Sequence, residues 1–395
     1  MTPVEVTIAP AVLEWAIRRT GMDGDDLHAQ FPKLDKWIAQ EAKPTLAQAR
    51  KLADKARIPF GRLLLEAPSS GDQNVADFRT VRSAAVGEMS PDLQEVFFAA
   101  QNRLAWYSDH AESNGVEAPS IIGSVSNETS PRTAAIVTRE LLGFETNEPI
   151  PGNDKVLTLT RAMEETGLLV SRNSVVGNAN RRALSVTEFR GFTIEDDGFA
   201  LVFVNTNDAK SAQLFSLAHE LGHVVRGKPG LSDHSEHQEL ERWCNSFGAE
   251  FIAPVDAVRS TFEPGDVLEA VNTVARRFGL SREASLLRLR ELELVSRAEQ
   301  EDAARKILGV VRQSEERREG GPQFHVLARS RVGELFFDTL TQAAVDGQVS
   351  DLEAARYLGV RSFETFQSLV EKRKPMAGQL HRPDGDRRIT GPAEV

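Results

Sequence analysis

The sequence is informative first through what it lacks. A single cysteine, Cys244, stands among 395 residues, which excludes an internal disulfide and any metal site built from several cysteines. No segment approaches the roughly 18 consecutive apolar residues of a membrane helix, and the chain does not open on a basic segment followed by an apolar run. The sequence therefore predicts a globular protein of the reducing cytoplasm, without a membrane partner.

An excess of positive charge is also missing. The formal net charge is -11 at pH 7, which argues against extensive wrapping of nucleic acid and leaves room only for a local contact with DNA. There is no collagen-like or low-complexity bias, and hydrophobic residues make up 41% of the chain. A chain of this length and composition can bury a sizeable core, divided over roughly two to four domains.

Two stretches rich in small and charged residues divide the chain, EAPSSGDQNVADFRT and QSEERREGGPQ. We predict an N-terminal domain over residues 1–70, a linker over 71–87 and a central domain over 88–313, with a helical subdomain from about residue 265. A C-terminal helical domain follows over 324–374. Residues 375–395 hold Pro and Gly with little apolar periodicity and are predicted to form a disordered tail.

The central domain combines strands with helices. The runs EFRGFTI and FALVFVN flank Asp196-Asp197-Gly198, a pattern that predicts a β-hairpin. The next segment, SAQLFSLAHELGHVV, has apolar residues at helical spacing, and the upstream segments PRTAAIVTRELLG and NDKVLTLTRAMEETG also predict helices. The predicted fold class is therefore α+β, mostly helical with a small β-sheet.

The helical segment carries a His-Glu-x-x-His motif formed by His219, Glu220 and His223. Positions i and i+4 share a helix face, so both imidazoles can aim one nitrogen at a common point. Two imidazoles on a rigid helix make half of a zinc site, and the adjacent carboxylate can deprotonate a water there. The motif therefore predicts peptidase chemistry, against the alternative of two histidines on a helix surface.

A catalytic zinc usually takes a third protein ligand. The downstream segment ELERWCNSFGAEFIAP offers three carboxylates, but Glu239 and Glu241 lie in a polar run for which a solvated helix start is a sufficient explanation. Glu250 has apolar and small neighbours, and a carboxylate buried there without a partner would cost several kcal/mol. We therefore predict Glu250 as the third ligand, with His234 and His237 as competing candidates.

These two segments, FSLAHELGH and ERWCNSFGAEFIAP, resemble the ImmA/IrrE metallopeptidases over roughly residues 88–294. The resemblance implies a gluzincin-like core flanked by helical domains, with zinc, or another divalent metal, bound by His219, His223 and Glu250. It also implies that Glu220 is the general base. The tetrapeptide FGAE stands where the family more usually has Ala-Ala-Glu, a departure that leaves the carboxylate in place.

The N-terminal segment resembles the Xre-type helix-turn-helix module that precedes the peptidase in many members of this family. Up to Glu66 it holds 10 Lys and Arg against 9 Asp and Glu, too small an excess for strong phosphate attraction. The segment PKLDKWIAQEAKP, where the base-reading helix is expected, contains no arginine, and Trp37 suits a core better than a stacking platform. We favour a degenerate, protein-binding module over DNA recognition.

The chain repeats a short pattern in ARRFGLS and ARYLGVR, which predicts two helix-turn-helix hairpins or two ordinary helical hairpins. With the motifs above, the leading hypothesis is a cytoplasmic zinc endopeptidase that cuts one protein partner, such as a repressor, to switch transcription. The alternative is a non-proteolytic antitoxin or regulatory scaffold that neutralises a ribonuclease-like toxin, since relatives with this domain arrangement resemble such antitoxins.

Overall fold

A computed structural model describes residues 5–20, 22, 24–56, 60–67, 89–227, 234–311, 324–360 and 362–372. The predicted linker over 71–87 and the predicted tail over 375–395 lie outside the described residues. Within the described ranges, no helix combines the length and apolarity needed to cross a membrane. The described residues divide into two compact units, one up to Phe336 and one from Phe337 onward.

The first helices of the chain form a small bundle with its own core. Its elements are α1 (Pro10–Arg19), α2 (Gly24–Gln30), α3 (Leu34–Ile38), α4 (Leu46–Ala56) and a 3-10 helix (Phe60–Leu64). Trp37 is 1% exposed and belongs to this core, as its sequence context predicts. The helix that was expected to read DNA bases, α3, is only five residues long.

The central sheet has three strands in the order β1-β5-β4. Strand β1 (Leu169–Asn173) runs parallel to β5 (Phe199–Asn205), and β4 (Gly191–Asp196) runs antiparallel to β5. A separate ribbon pairs β2 (Val175–Val176) with β3 (Ala179–Ala183). Asp197 and Gly198 both have positive φ, 45° and 81°, at the turn between β4 and β5, which confirms the predicted hairpin.

Helices make up most of the remaining described residues, so the α+β, mostly helical fold class is confirmed. In chain order they are α5 (Pro91–Ser113), α6 (Pro131–Leu141), α7 (Lys155–Glu165), α8 (Lys210–Arg226), α9 (His234–Ile252), α10 (Val255–Thr261), α11 (Val267–Phe278), α12 (Arg282–Glu291), α13 (Arg297–Val311), α14 (Phe324–Val332), α15 (Glu334–Val345), α16 (Asp351–Tyr357) and α17 (Phe363–Glu371).

Helix α8 lies at the centre of the main core. Its apolar face, Leu214, Leu217, Leu221 and Val225, is buried, and the helix packs on α9 as well as on β4 and β5. It ends at Arg226 and is capped by Gly227, whose φ of 56° is a left-handed conformation that favours glycine. The helix that carries the His-Glu-x-x-His motif is therefore held rigidly from two sides.

Both repeated ARx(F/L)G patterns form helical hairpins. Gly279 ends α11 with φ 74°, and Ser281 then caps α12 by accepting a hydrogen bond from a backbone N–H. Gly359 has φ 66° between α16 and α17, and Ser362 caps α17 in the same way. The helix, glycine turn and second helix expected from the pattern are present at both places.

Candidate metal centre

Helix α8 brings the two motif histidines together on one side. The Nε2 atoms of His219 and His223 lie 3.3 Å apart. Both side chains are mostly buried, with 15% and 12% of their surface exposed. Two nitrogens this close, both turned toward the same space, favour a shared cation or proton between them.

The third member of the cluster is Glu241, which comes from α9. One of its oxygens lies 3.4 Å from His219 Nε2, and the other lies 3.3 Å from His223 Nε2. Among the described residues, this is the one group of His, Cys, Asp and Glu side chains that could together hold a metal ion.

The donor set and its spacing fit zinc. A tetrahedral zinc ion with bonds of about 2.0–2.1 Å holds its ligand atoms about 3.3–3.4 Å apart. The two imidazole nitrogens lie 3.3 Å apart, and they lie 3.4 Å and 3.3 Å from the two different oxygens of the Glu241 carboxylate. Imidazole nitrogens with one carboxylate are also a ligand set typical of zinc.

Asn245 fixes the orientation of one imidazole. Its Oδ1 lies 3.0 Å from Nδ1 of His219, one helical turn beyond Glu241 on α9. Because an amide oxygen only accepts, Nδ1 donates to it, and Nε2 of the neutral ring keeps its lone pair for a metal. The same helix therefore supplies a candidate ligand and the residue that orients a second one.

Small residues allow α8 and α9 to approach closely enough for this arrangement. A Cβ on Gly222 would lie 3.2 Å from the sulfur of Cys244 and 3.1 Å from the ring of Phe247. A Cβ on Gly248 would lie 3.4 Å from the backbone nitrogen of His219. Cys244 is fully buried in this contact, which agrees with its interpretation as a small hydrophobic residue.

Glu220 points away from the helix core toward the edge strand β4. Its carboxylate accepts a hydrogen bond of 2.9 Å from the hydroxyl of Thr193, and the residue is 8% exposed. Gly191 leaves room for the same carboxylate, since a Cβ there would lie 3.1 Å from Glu220 Oε1. The motif glutamate is thus held by β4, while its two neighbouring histidines face α9.

The electrostatics of the cluster attract positive charge. Burial raises the pKa of Glu241, but hydrogen bonds to His219 and His223 outweigh it and hold this pKa far below its ordinary value. Burial lowers the pKa of His219, yet its contacts with Glu241 and the charge of Glu220 leave it raised overall. Both shifts show that the surroundings of the cluster favour positive charge between its side chains.

A further carboxylate, Glu195, lies on β4 near this cluster. Burial raises its pKa to about 7, and the nearby imidazole of His223 opposes that rise. Its Oε1 is buried and has no hydrogen-bond partner among the described residues. Sequence reasoning did not single out this residue or Thr193, because both reach the site only through the pairing of β4 with β5.

The structure places Glu250 differently from the ligand set predicted from the sequence. Its carboxylate forms a buried ion pair with Arg288 of α12 and accepts a hydrogen bond of 3.0 Å from the backbone nitrogen of Val255. The cation that compensates this carboxylate is thus a guanidinium, and Glu241 occupies the place beside the histidines. Glu239 is exposed on α9, and the side chains of His234 and His237 lie outside the described part of the chain.

Glu241 could have been recognised from one signal in the sequence. It precedes Asn245 by four residues and Gly248 by seven, so the three share one face of α9. That face carries the small residues through which α9 packs on α8. The polar residues around Glu241 instead indicated a solvated helix start, because the sequence does not show where α8 and α9 cross.

One comparison with known proteins matches the segment that contains the histidine cluster. No curated protein is similar enough to match the chain. Residues 170–290, which include the histidine cluster, Glu220 and Arg288, match the family model Peptidase_M78, described as the IrrE N-terminal-like domain. This segment of the chain is thus similar to a peptidase family, and the match supports the ImmA/IrrE resemblance for the part that holds the metal centre.

Proposed function

We propose that this protein is a zinc-dependent endopeptidase that cleaves a specific protein partner, such as a transcriptional repressor. The observation that carries the proposal is the convergence of His219, His223 and Glu241 within the matched segment, with Glu220 following His219 in the chain and near enough for its charge to raise the pKa of that histidine. A purely structural zinc site does not need a carboxylate such as Glu220, whereas a hydrolytic site requires a base.

Each side chain then has a defined task. His219, His223 and Glu241 would hold the ion, which when bound supplies Lewis acidity toward a carbonyl oxygen and an attacking water. Glu220 accepts the proton of that water. Thr193 donates to one oxygen of Glu220, which fixes the carboxylate and leaves its other oxygen for the proton transfer.

The partner is expected to be a protein rather than a small peptide. The N-terminal helices resemble an Xre-type module, and α16 and α17 form a further helical hairpin. Both lie outside the segment that holds the metal centre, and we expect them to bind the protein partner. Such modules would add affinity for one partner without contacting the cleaved bond.

Zinc content and proteolysis test the proposal together. The full chain should hold about one zinc ion, and chelation should abolish its cleavage of folded proteins in a cell extract until zinc is returned. Glu241→Ala should lose both zinc and cleavage. Glu239→Ala, an exposed glutamate two residues away on the same helix, is the matched control and should keep both.

Two results would contradict the proposal. Full zinc content in Glu241→Ala would remove this residue from the ligand set. Cleavage that persists after complete removal of zinc would show that the metal centre is not the proteolytic site.

A further inference from the structure

One face of strand β4 lies against the helix that carries the two motif histidines. Thr193 donates its 2.9 Å hydrogen bond to Glu220 of α8, and a Cβ on Gly191 would contact the same carboxylate. Side chains two residues apart on a strand point to the same side of the sheet. Glu195, the next residue in this row, therefore also faces α8.

The residues between them point the other way. The ring of Phe192 lies 5.1 Å, centroid to centroid, from that of Phe97 on α5. Asp196 Oδ2 accepts a hydrogen bond of 3.3 Å from the hydroxyl of Ser108, which is also on α5. Because the even-numbered residues of β4 face α5, the side of Glu195 is fixed by contacts on both faces of the strand.

The Glu195 carboxylate lies close to the reacting groups of the proposed peptidase. Burial raises its pKa to about 7, and the imidazole of His223 is near enough for its charge to oppose that rise. Along β4, Glu195 lies two residues, or about 7 Å, from Thr193, which contacts the general base. Two residues of an extended peptide span the same distance, so a substrate side chain within two residues of the cleaved bond can reach Glu195.

One oxygen of this carboxylate has an unused capacity for a hydrogen bond. Its Oε1 is buried and accepts no hydrogen bond from any residue that the structure describes, whereas the residue as a whole is partly exposed. A buried carboxylate oxygen without a donor is unfavourable, and a charged N–H donor is its strongest partner. The partial exposure leaves a way for such a donor to enter from outside the protein.

The charge of the whole chain favours the same kind of partner. The formal net charge of -11 attracts basic proteins over a long range. A transcriptional repressor, the kind of substrate proposed above, uses Lys and Arg side chains to contact DNA phosphates. Such a substrate offers basic residues to a carboxylate beside the cleaved bond.

We propose that Glu195 is a specificity-determining residue, which binds a Lys or Arg side chain within two residues of the cleaved bond. The ammonium or guanidinium group donates to the carboxylate and supplies the positive charge that it needs. This inference rests on the proposed function for the cleavage, while the cation site itself is defined by the contacts of β4.

Two variants on neighbouring positions of β4 separate this role from a general effect on the strand. Glu195→Gln keeps the size of the side chain and removes its charge. Asp196→Asn is the matched control, because it makes the same change one residue away on the face toward α5, and its Oδ1 can still accept from Ser108. Both variants should hold as much zinc as the wild type, so that a change in cleavage does not reflect lost metal.

Cleavage sites in the folded proteins of a cell extract provide the first test, with new N-termini identified by mass spectrometry and the full chain loaded with zinc. The wild type should prefer Lys or Arg at one position within two residues of the cut. Glu195→Gln should lower cleavage at basic sites by about tenfold or more and leave the remaining sites unchanged, while Asp196→Asn should match the wild type. A wild type without this preference, or an equal fall at basic and other sites in Glu195→Gln, would overturn the assignment.

A second measurement tests the cation site without proteolysis. N-acetyl-argininamide and N-acetyl-citrullinamide have nearly the same shape, but only the first is charged. By saturation-transfer NMR, the zinc-loaded wild type and Asp196→Asn should bind the arginine compound at least about tenfold more tightly, and Glu195→Gln should bind both compounds alike. If this pattern holds but no protein is cleaved, the proposed function fails and the cation site stands. Equal binding of the two compounds by the wild type, or an unchanged preference in Glu195→Gln, would refute the cation site.

Discussion

The ion pair between Glu250 and Arg288 gives a prediction that separates stability from metal binding. The side chains are 11% and 5% exposed, so Glu250→Gln leaves a buried guanidinium without its main counter-charge. Removal of one partner from a buried pair typically costs about 3–5 kcal/mol. We expect the lower end, about 3 kcal/mol, because Arg288 keeps Glu291 at 2.9 Å and also donates to the carbonyl of Ala253.

This loss should appear as a lower melting temperature. For a folded unit of a few hundred residues, 1 kcal/mol corresponds to about 2–4 °C, so Glu250→Gln should lower the Tm by about 6–12 °C. The measurement should use chelated protein, because bound zinc would itself stabilise the folded state. Arg288→Met combined with Glu250→Gln should recover part of the loss, since no unpaired charge is then buried.

Zinc content completes this test. Zinc-reconstituted Glu250→Gln should hold as much metal as the wild type, whereas Glu241→Gln should lose it. Loss of zinc from a well-folded Glu250→Gln, together with full zinc in Glu241→Gln, would refute the reasoning and return Glu250 to the ligand set.

Two further variants probe the surroundings of the site and the fold. Gly191→Ala should retain zinc but lower cleavage at least about tenfold, because its Cβ would lie 2.9 Å from the carbonyl oxygen of Phe203 and 3.1 Å from Glu220 Oε1, so that β4 or the carboxylate must shift; Gly61→Ala, which has nothing within 4 Å, should cleave normally. Burial raises the pKa of Glu164 from 4.5 to about 8, and its carboxyl accepts a hydrogen bond from Leu335 N. The folded state thus binds this proton more tightly than the unfolded state, so its stabilising effect is present below pH 4.5 and declines as the pH rises toward 8. Urea unfolding at pH 5 and pH 8 should show that loss, on the order of 3–5 kcal/mol, in the wild type and not in Glu164→Gln; equal pH dependence in both proteins would contradict it.

Much of the fold could be predicted because its signals are local. Asp197 and Gly198 sit between two β-prone runs, and the turn they form depends only on neighbouring residues. The apolar spacing of α8 likewise identifies the helix and the common face of His219 and His223. His219 and His223 lie about one helical turn apart, so the helix alone fixes their relative positions.

The remainder of the site depends on contacts between elements that are distant in sequence. A buried Glu250 needs a cation, and Arg288 supplies it from 38 residues further along the chain. Thr193 reaches Glu220 only because β4 pairs beside β5 and packs on α8. No local pattern encodes these contacts, so the choice between carboxylates on α9 required the structure.

The most direct test of the metallopeptidase account is the cleavage rate of Glu220→Gln compared with the wild type, both loaded with zinc. Glutamine keeps the size of the side chain and an oxygen that accepts from Thr193, but it cannot take the proton of the attacking water. The account predicts equal zinc content and a fall in cleavage of about 100-fold or more. Cleavage at the wild-type rate by a fully zinc-loaded Glu220→Gln would contradict it.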